Sequence, residues 1–321
     1  MYIENAKILI TNEMEEFNKI FSTSFCSDDD LLNKALRHLS PQKGKQIRPT
    51  LTILAAKLCG NVTEHTYHLA AAFELLHSAS LAHDDVVDNS QQRRNVPTLN
   101  ANFNNKTAVL VGDYLVTKAM ELVNRTQSLI FFDHLRKLSM DIVRGELLQH
   151  QFSHNFIQEV DYYNVIKLKT ASLFATCALS GAVSGGGNEQ QAQALHTFGE
   201  HLGICFQIKD DIFDYSQNNV GKPVFNDISE GKITLPLLHA LNFATENEKN
   251  KIFEIINNDN ISSDDKNFVI NLIIRHKGLD YAKKQMQTYR EKAVDCLKIF
   301  ENSPTKNLLV EMLDFAIERE S

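Results

Sequence analysis

Apolar residues recur every three to four positions along most of this chain and almost nowhere alternate. Leu31, Leu32, Ala35, Leu36 and Leu39 make one such stripe, and LAAAFELLHSASLA at 69–82 and LGICFQI at 202–208 make two more. A period near 3.6 predicts helices. Asp28, Asp29 and Asp30 before the first stripe, and Ser262, Ser263, Asp264 and Asp265 further on, read as helix starts, where side-chain oxygens and negative charge suit unpaired backbone N–H groups. Gly185, Gly186 and Gly187 predict a helix break. The low-charge stretch from Thr170 to Asn188 is diluted by Ser, Thr and Gly, so it reads as a packed interior helix and not as a membrane span. No Ser/Pro-rich linker interrupts the pattern, and the expectation is one all-α domain over 1–321, a large helical bundle.

Composition narrows the function. The 321 residues are 43% apolar, enough for a substantial core, and the net charge of −7 without a polybasic run argues against nucleic acid as a partner. The five cysteines, Cys26, Cys59, Cys177, Cys205 and Cys296, form no CxxC pair and their number is odd. That points to buried thiols in a reducing compartment. The opening MYIENAKILITNEMEEF has acidic residues and no long apolar core, so it does not resemble a secretion or transit signal. A cytoplasmic protein without a transmembrane segment is expected.

The chemistry lies in an aspartate pattern that occurs twice, Asp84, Asp85 and Asp88 in HDDVVDN and Asp210, Asp211 and Asp214 in KDDIFDY. In a helix the first and last carboxylates of each set share a face one turn apart, and the middle one lies about 100° round, so all could lean toward one cation. An all-oxygen set suits a hard ion such as Mg²⁺ and not zinc. A single DDxxD on a solvated helix needs no metal, since like-charge repulsion there costs only about 0.2–0.5 kcal/mol. Both copies, however, come late in their apolar stretches, where the helix dipole disfavours anions and a bound cation would compensate.

Cations accompany these carboxylates. Lys45 and Arg48 sit in GKQIRP, Arg93 and Arg94 follow the first motif, Lys169 and Thr170 precede the small-residue stretch, and Lys222 and Lys232 lie in GKP and GKITLP. Each alone reads as a solvated charge. Together, phosphate-gripping side chains beside metal-binding carboxylates are what a diphosphate requires. Heterolysis of a C–O bond to diphosphate needs a neutralised leaving group and a dry cavity for the cation left behind.

At this point the chain resembles the trans-isoprenyl diphosphate synthases, or polyprenyl synthetases. The likeness runs from GKQIRP at 44–49 through HxxxxxxDDxxD, RR, GDYL at 112–115, GELLQ at 145–149, KT, FQIKDDIFD at 206–214, GKP and GKITLP to IRHKGLDYAKKQMQTYREKA. The resemblance implies an all-α isoprenoid synthase bundle around a central apolar cavity, a homodimer, and head-to-tail extension of an allylic diphosphate with isopentenyl diphosphate. It implies Mg²⁺ on the six aspartates of the two motifs. Lys45, Arg48, His77 and Arg94 would hold isopentenyl diphosphate, and Arg93, Lys169, Thr170, Gln207, Lys222 and Lys232 would contact the allylic diphosphate. From composition alone, His77 is a core histidine; only the resemblance gives it a role. No dedicated protein base is implied, because the departing diphosphate takes the proton.

Two positions depart from the family pattern. Asn95 stands where a glycine is usual, and Asn tolerates a left-handed backbone better than most residues. Gln149 stands where short-chain members commonly carry an aspartate. A class I terpene cyclase would lack the second DDxxD and the isopentenyl site, a non-catalytic subunit would lack a motif, and a purely structural helical protein would explain neither the motifs nor the cations. Before the first motif, Leu76, Ala79 and Ser80 are expected to line the product channel. The absence of an aromatic there points to a long hexaprenyl to nonaprenyl product, such as a quinone side-chain precursor. If Ala79 and Ser80 serve only close helix packing, the product is geranylgeranyl or farnesyl.

Overall fold

The computed structural model describes residues 2–39, 46–93, 96–215, 225–258 and 260–319. Lys45, Arg94, Asn95 and Lys222 lie outside the described residues. The expectation of an all-α protein holds. In chain order the helices are α1 (Tyr2–Thr23), α2 (Asp30–Leu39), α3 (Ile47–Cys59), α4 (Glu64–Val87), α5 (Leu99–Asn102), α6 (Asn105–Arg125), α7 (Leu129–Phe152), α8 (Glu159–Ile166), α9 (Ser172–Ser184) and α10 (Glu189–Asp214). Then follow α11 (Asn226–Ser229), α12 (Leu235–Leu241), α13 (Glu246–Ile256), α14 (Ser263–Arg275), α15 (Gly278–Cys296) and α16 (Pro304–Glu318). Among the described residues the strands are two short ones, Gln92–Arg93 and Val96–Pro97, paired antiparallel with Arg93 opposite Val96.

Two compact units emerge. The first comprises Met1–Ser139, Leu173–Gly199 and Cys296–Met312, and the second Met140–Ser172, Glu200–Asp295 and Leu313–Ser321. In the first, α4 begins at a reciprocal cap in which the backbone N–H of Thr66 donates to Thr63 Oγ1 and that of Thr63 donates to Thr66 Oγ1, satisfying two otherwise unpaired donors. Leu69 to Phe73, Leu75, Leu76, Ala79 and Ala82 are all buried, so α4 is apolar on nearly every side, the mark of a central helix. Helix α6 packs along it. Gly112 permits the close approach, since a Cβ there would fall 2.2 Å from His83 Nε2. Helix α9 is the interior helix expected from its low charge and ends at Ser184, just before the glycine break.

In the second unit α8 packs against α12, and α12 against α14. Ser262 caps α14 through the backbone N–H of Asp265 at 3.1 Å, the start that the serine–aspartate cluster predicts. Between α8 and α9 the sequence pattern predicts that Lys169 and Thr170 open a regular helix; the chain instead makes a π-turn over Lys167–Ala171. Such a turn admits one extra residue and turns side chains out of the helical register. Helix α7 presses on it through Gly145, where a Cβ would come within 2.5 Å of the Lys169 backbone nitrogen. Among the described residues no helix is long and apolar enough to cross a membrane.

Candidate active site

The first unit carries the first aspartate motif at the C-terminal end of α4. Asp88 caps the helix, its N–H donating to the Asp84 carbonyl at 2.8 Å, so the outer carboxylates lie one turn apart and half-buried, as the spacing predicts. Asp85 is turned inward, 5% exposed, and its Oδ1 accepts from Arg93 Nε at 2.9 Å. Burial pushes the Asp85 carboxyl above the ordinary carboxylate range, partly offset by the Arg93 guanidinium. The Asn100 amide donates to the carbonyls of Asp85 and Ser90, and Thr98 Oγ1 also donates to Ser90 O, which ties the strand pair bearing Arg93 to the motif. Arg93, from the allylic set, therefore stands against the first motif.

Further back on α4, His77 is half-buried, two turns before Asp84. Of the proposed channel wall, Ala79 is 0% and Leu76 5% exposed, while Ser80 is half-buried and donates to the His77 carbonyl at 2.9 Å. Arg48 lies in the first turn of α3, its guanidinium 4.8 Å from the Phe174 ring centre.

The second unit gathers more. Gln149, Lys169, Thr170, Gln207, Asp211 and Lys232, which sequence reasoning singled out separately, line one cavity of about 160 Å³ with Tyr162, Asp227 and several apolar residues. Thr170 Oγ1 donates to Gln207 Oε1 at 2.8 Å, Gln207 Nε2 donates to Asp211 Oδ1 at 2.9 Å, and the Tyr162 hydroxyl donates to Asp211 Oδ2 at 2.5 Å. The chain Thr170, Gln207, Asp211, Tyr162 thus runs from the π-turn to the second motif. Asp211 is 2% exposed, and like Asp85 it is the middle aspartate of its motif, held by protein donors. Lys169 pairs with Glu146 and Lys232 with Glu230. Asp214 accepts from the backbone N–H of Asn226 at 3.0 Å and of Asp227 at 3.3 Å. Asp210 Oδ1 accepts from Arg319 Nη2 at 2.8 Å.

Burial drives the carboxyls of Asp211, Asp214 and Asp227 above their ordinary range. Their mutual repulsion adds to this, and Lys232 opposes it at Asp227. Among the described residues no group of three His, Cys, Asp or Glu side chains is gathered as a preformed metal site. The donor chemistry nevertheless fits a hard divalent ion. Every donor is a carboxylate oxygen, and crowded, desolvated negative charge is what a cation would relieve. Within each unit the half-buried outer carboxylates, Asp84 and Asp88 of the first motif and Asp210 and Asp214 of the second, are the ones such an ion would meet first, while Asp85 and Asp211 are turned inward to Arg93 and Tyr162.

Sequence reasoning missed Asp227, Tyr162 and Arg319. Asp227 sits four residues before Gly231 of GKITLP, close enough to have been included with that motif. Tyr162 and Arg319 leave no local signal, because they reach the motif from 49 and 109 residues away.

Residues 29–273 match the sequence profile of the polyprenyl synthetases. The chain belongs to that family. The octaprenyl diphosphate synthase of Haemophilus influenzae is 34% identical over 322 residues, spanning 99% of this chain and 98% of the relative. The crystal structure of a polyprenyl synthase from Caulobacter crescentus, complexed with calcium and isoprenyl diphosphate, superposes with a TM-score of 0.94 at 34% identity over 99% of this chain and 98% of that one. A geranylgeranyl pyrophosphate synthase from Bacteroides thetaiotaomicron gives a TM-score of 0.86 at 36% identity over 99% of each chain. This polyprenyl synthetase is accordingly a transferase of the trans-prenyl diphosphate synthase family. The relatives' names run from geranylgeranyl to decaprenyl, so membership alone does not set the product length.

Proposed function

We propose that this polyprenyl synthetase condenses isopentenyl diphosphate head-to-tail onto an allylic diphosphate, with Mg²⁺, to make a long all-trans polyprenyl diphosphate of hexaprenyl to nonaprenyl length. The observation that carries the reading is the convergence of Lys169, Thr170, Gln207, Asp211 and Lys232 on one cavity, five residues from three sequence segments. Lys169 and Lys232 supply positive charge for the allylic diphosphate, and the resemblance to the family assigns Arg93 and Lys222 to the same ligand. Thr170 and Gln207 orient that end of the site through their hydrogen bond. Bound Mg²⁺, held by the aspartates of each motif (Asp84, Asp85 and Asp88; Asp210, Asp211 and Asp214), would neutralise charge on the leaving diphosphate. Lys45, Arg48, His77 and Arg94 take the second diphosphate in this reading. No side chain is assigned as a base; the departing diphosphate accepts the proton.

A shorter geranylgeranyl or farnesyl product is the second reading, and the burial of Ala79 favours it: 0% exposure is what close packing of α4 would give. We further propose that two copies pair. Phe132, Met140, Val143 and Leu147 form an exposed apolar stripe at helical spacing along α7, the kind of face a second copy covers. All five cysteines are free thiols, which supports a reducing cytoplasmic setting, although only Cys177 and Cys205 are buried as expected, Cys59 and Cys296 being half-buried and Cys26 exposed.

The test is incubation of purified protein with isopentenyl diphosphate and geranyl or farnesyl primers, with Mg²⁺ or with EDTA, and chromatographic separation of the products. Metal-dependent elongation to long chains is expected, and Asp84→Ala and Asp210→Ala should each cost several orders of magnitude in turnover. Absence of elongation with every primer, or either variant keeping more than about a tenth of the activity, overturns the reading.

A further inference from the structure

The second aspartate motif meets a cation that belongs to none of the recognised motifs. Arg319 follows α16, and its side chain is 8% exposed. Its Nη2 donates both to Asp210 Oδ1 at 2.8 Å and to the carbonyl of Phe206 at 3.0 Å, one helical turn before Asp210 on α10. Its Nε donates to the Ala316 carbonyl at 3.1 Å, and the guanidinium lies 3.7 Å from the Phe206 ring centre and 5.7 Å from that of Phe213. Three of these restraints, the two carbonyls and the Phe206 ring, do not involve the carboxylate. The guanidinium is therefore placed by contacts other than the carboxylate, and it in turn holds one oxygen of Asp210.

We propose that Arg319 is a positioning residue for Asp210, fixing the carboxylate in the orientation in which it meets the metal–diphosphate ligand. The inference rests on the reading of Asp210 as a metal ligand and adds to it the group that orients this ligand. A planar fork is required. Only guanidinium can stack on Phe206 while bridging a carbonyl and a carboxylate; a lysine ammonium keeps the charge and loses that geometry. Partners that orient metal-binding side chains typically carry tenfold to hundredfold effects on metal affinity.

The experiment uses the full chain with inorganic pyrophosphate titrated calorimetrically at fixed free Mg²⁺, for the wild type, Arg319→Lys, Arg319→Met, Asp210→Asn and the double variant Asp210→Asn/Arg319→Met, with melting curves alongside. Both Arg319 variants are expected to raise the pyrophosphate dissociation constant by about tenfold or more, and Arg319→Met should add no further loss once Asp210 is Asn. Arg319→Lys binding within about twofold of the wild type would show that charge alone suffices and would overturn the inference. Losses that multiply in the double variant would place the action of Arg319 elsewhere. A lowered melting temperature with unchanged pyrophosphate binding would reduce Arg319 to a staple between α16 and α10, again overturning it. If the wild type itself shows no Mg²⁺-dependent binding, the proposed function fails, an outcome distinct from wild-type-like variants. Should Arg319→Met not fold, Arg319→Lys and Arg319→Gln carry the same comparison.

Discussion

Replacing Tyr162 by Phe removes one oxygen from the second aspartate motif and little else. The ring is wholly buried and packs edge-on against Tyr163, with centres 5.3 Å apart at 73°, a contact that Phe retains. What is lost is the 2.5 Å hydrogen bond to Asp211 Oδ2, short enough to belong with charge-assisted bonds. Asp211 is 2% exposed and Gln207 continues to serve only Oδ1, so the lost donor is replaced only where water enters from the adjoining cavity. A hydrogen bond to a charged group contributes about 1.5–3 kcal/mol, and because burial pushes the Asp211 carboxyl up to about 7, leaving it only partly ionised near neutrality, the loss falls in the lower part of that range. Urea unfolding followed by far-ultraviolet circular dichroism, in EDTA so that no metal compensates, should show a lower midpoint at an unchanged slope, corresponding to about 2 kcal/mol. A loss below about 0.5 kcal/mol, within the scatter of ordinary surface substitutions, would refute the view that Tyr162 holds Asp211 in place.

Three further outcomes are expected. Gly145→Ala puts a methyl within 2.5 Å of the Lys169 nitrogen and 2.9 Å of its Cα, both backbone atoms, so the π-turn must move; destabilisation of about 1–3 kcal/mol with weakened binding of an allylic diphosphate is expected, and wild-type behaviour in both would contradict it. Glu248 is held down to about 2, first by the Thr245 backbone N–H at 2.8 Å and then by Arg275, against an ordinary 4.5. A depressed carboxylate stabilises the fold above its unfolded value and loses that contribution as pH falls through its folded value. The difference in urea midpoint between wild type and Glu248→Gln should therefore be constant near neutrality and shrink below about pH 4.5; a difference that grows on acidification would reverse the sign of the argument. Ala79→Tyr, assayed with a farnesyl primer, should shift products to much shorter chains while the first condensation continues, if the channel passes this point. An unchanged product distribution would reject the channel, and loss of folding would mark Ala79 as a packing position only.

Sequence pattern alone decided that the chain is helical, because burying one face of a helix imposes a 3.6-residue period wherever it occurs. The caps of α2 and α14, the break after α9 and the arrival of both aspartate motifs at helix C-termini were legible for the same reason: each is a relation among residues within a few turns. The 100° offset of the middle aspartate was legible too, but not its consequence. Whether that direction leads to solvent, a ligand or the core depends on what packs there, and only the tertiary structure turned Asp85 and Asp211 inward to Arg93 and Tyr162. The π-turn that carries Lys169 and Thr170 likewise depends on Gly145 pressing against it from another helix. Arg319 is the extreme case, since nothing in its neighbours along the chain refers to Asp210, 109 residues away. Burial, and the electrostatics that follow from it, is a property of the packed molecule: a carboxylate is costly or well held according to what excludes water from it, and that is settled by contacts between segments rather than by the order of residues within one.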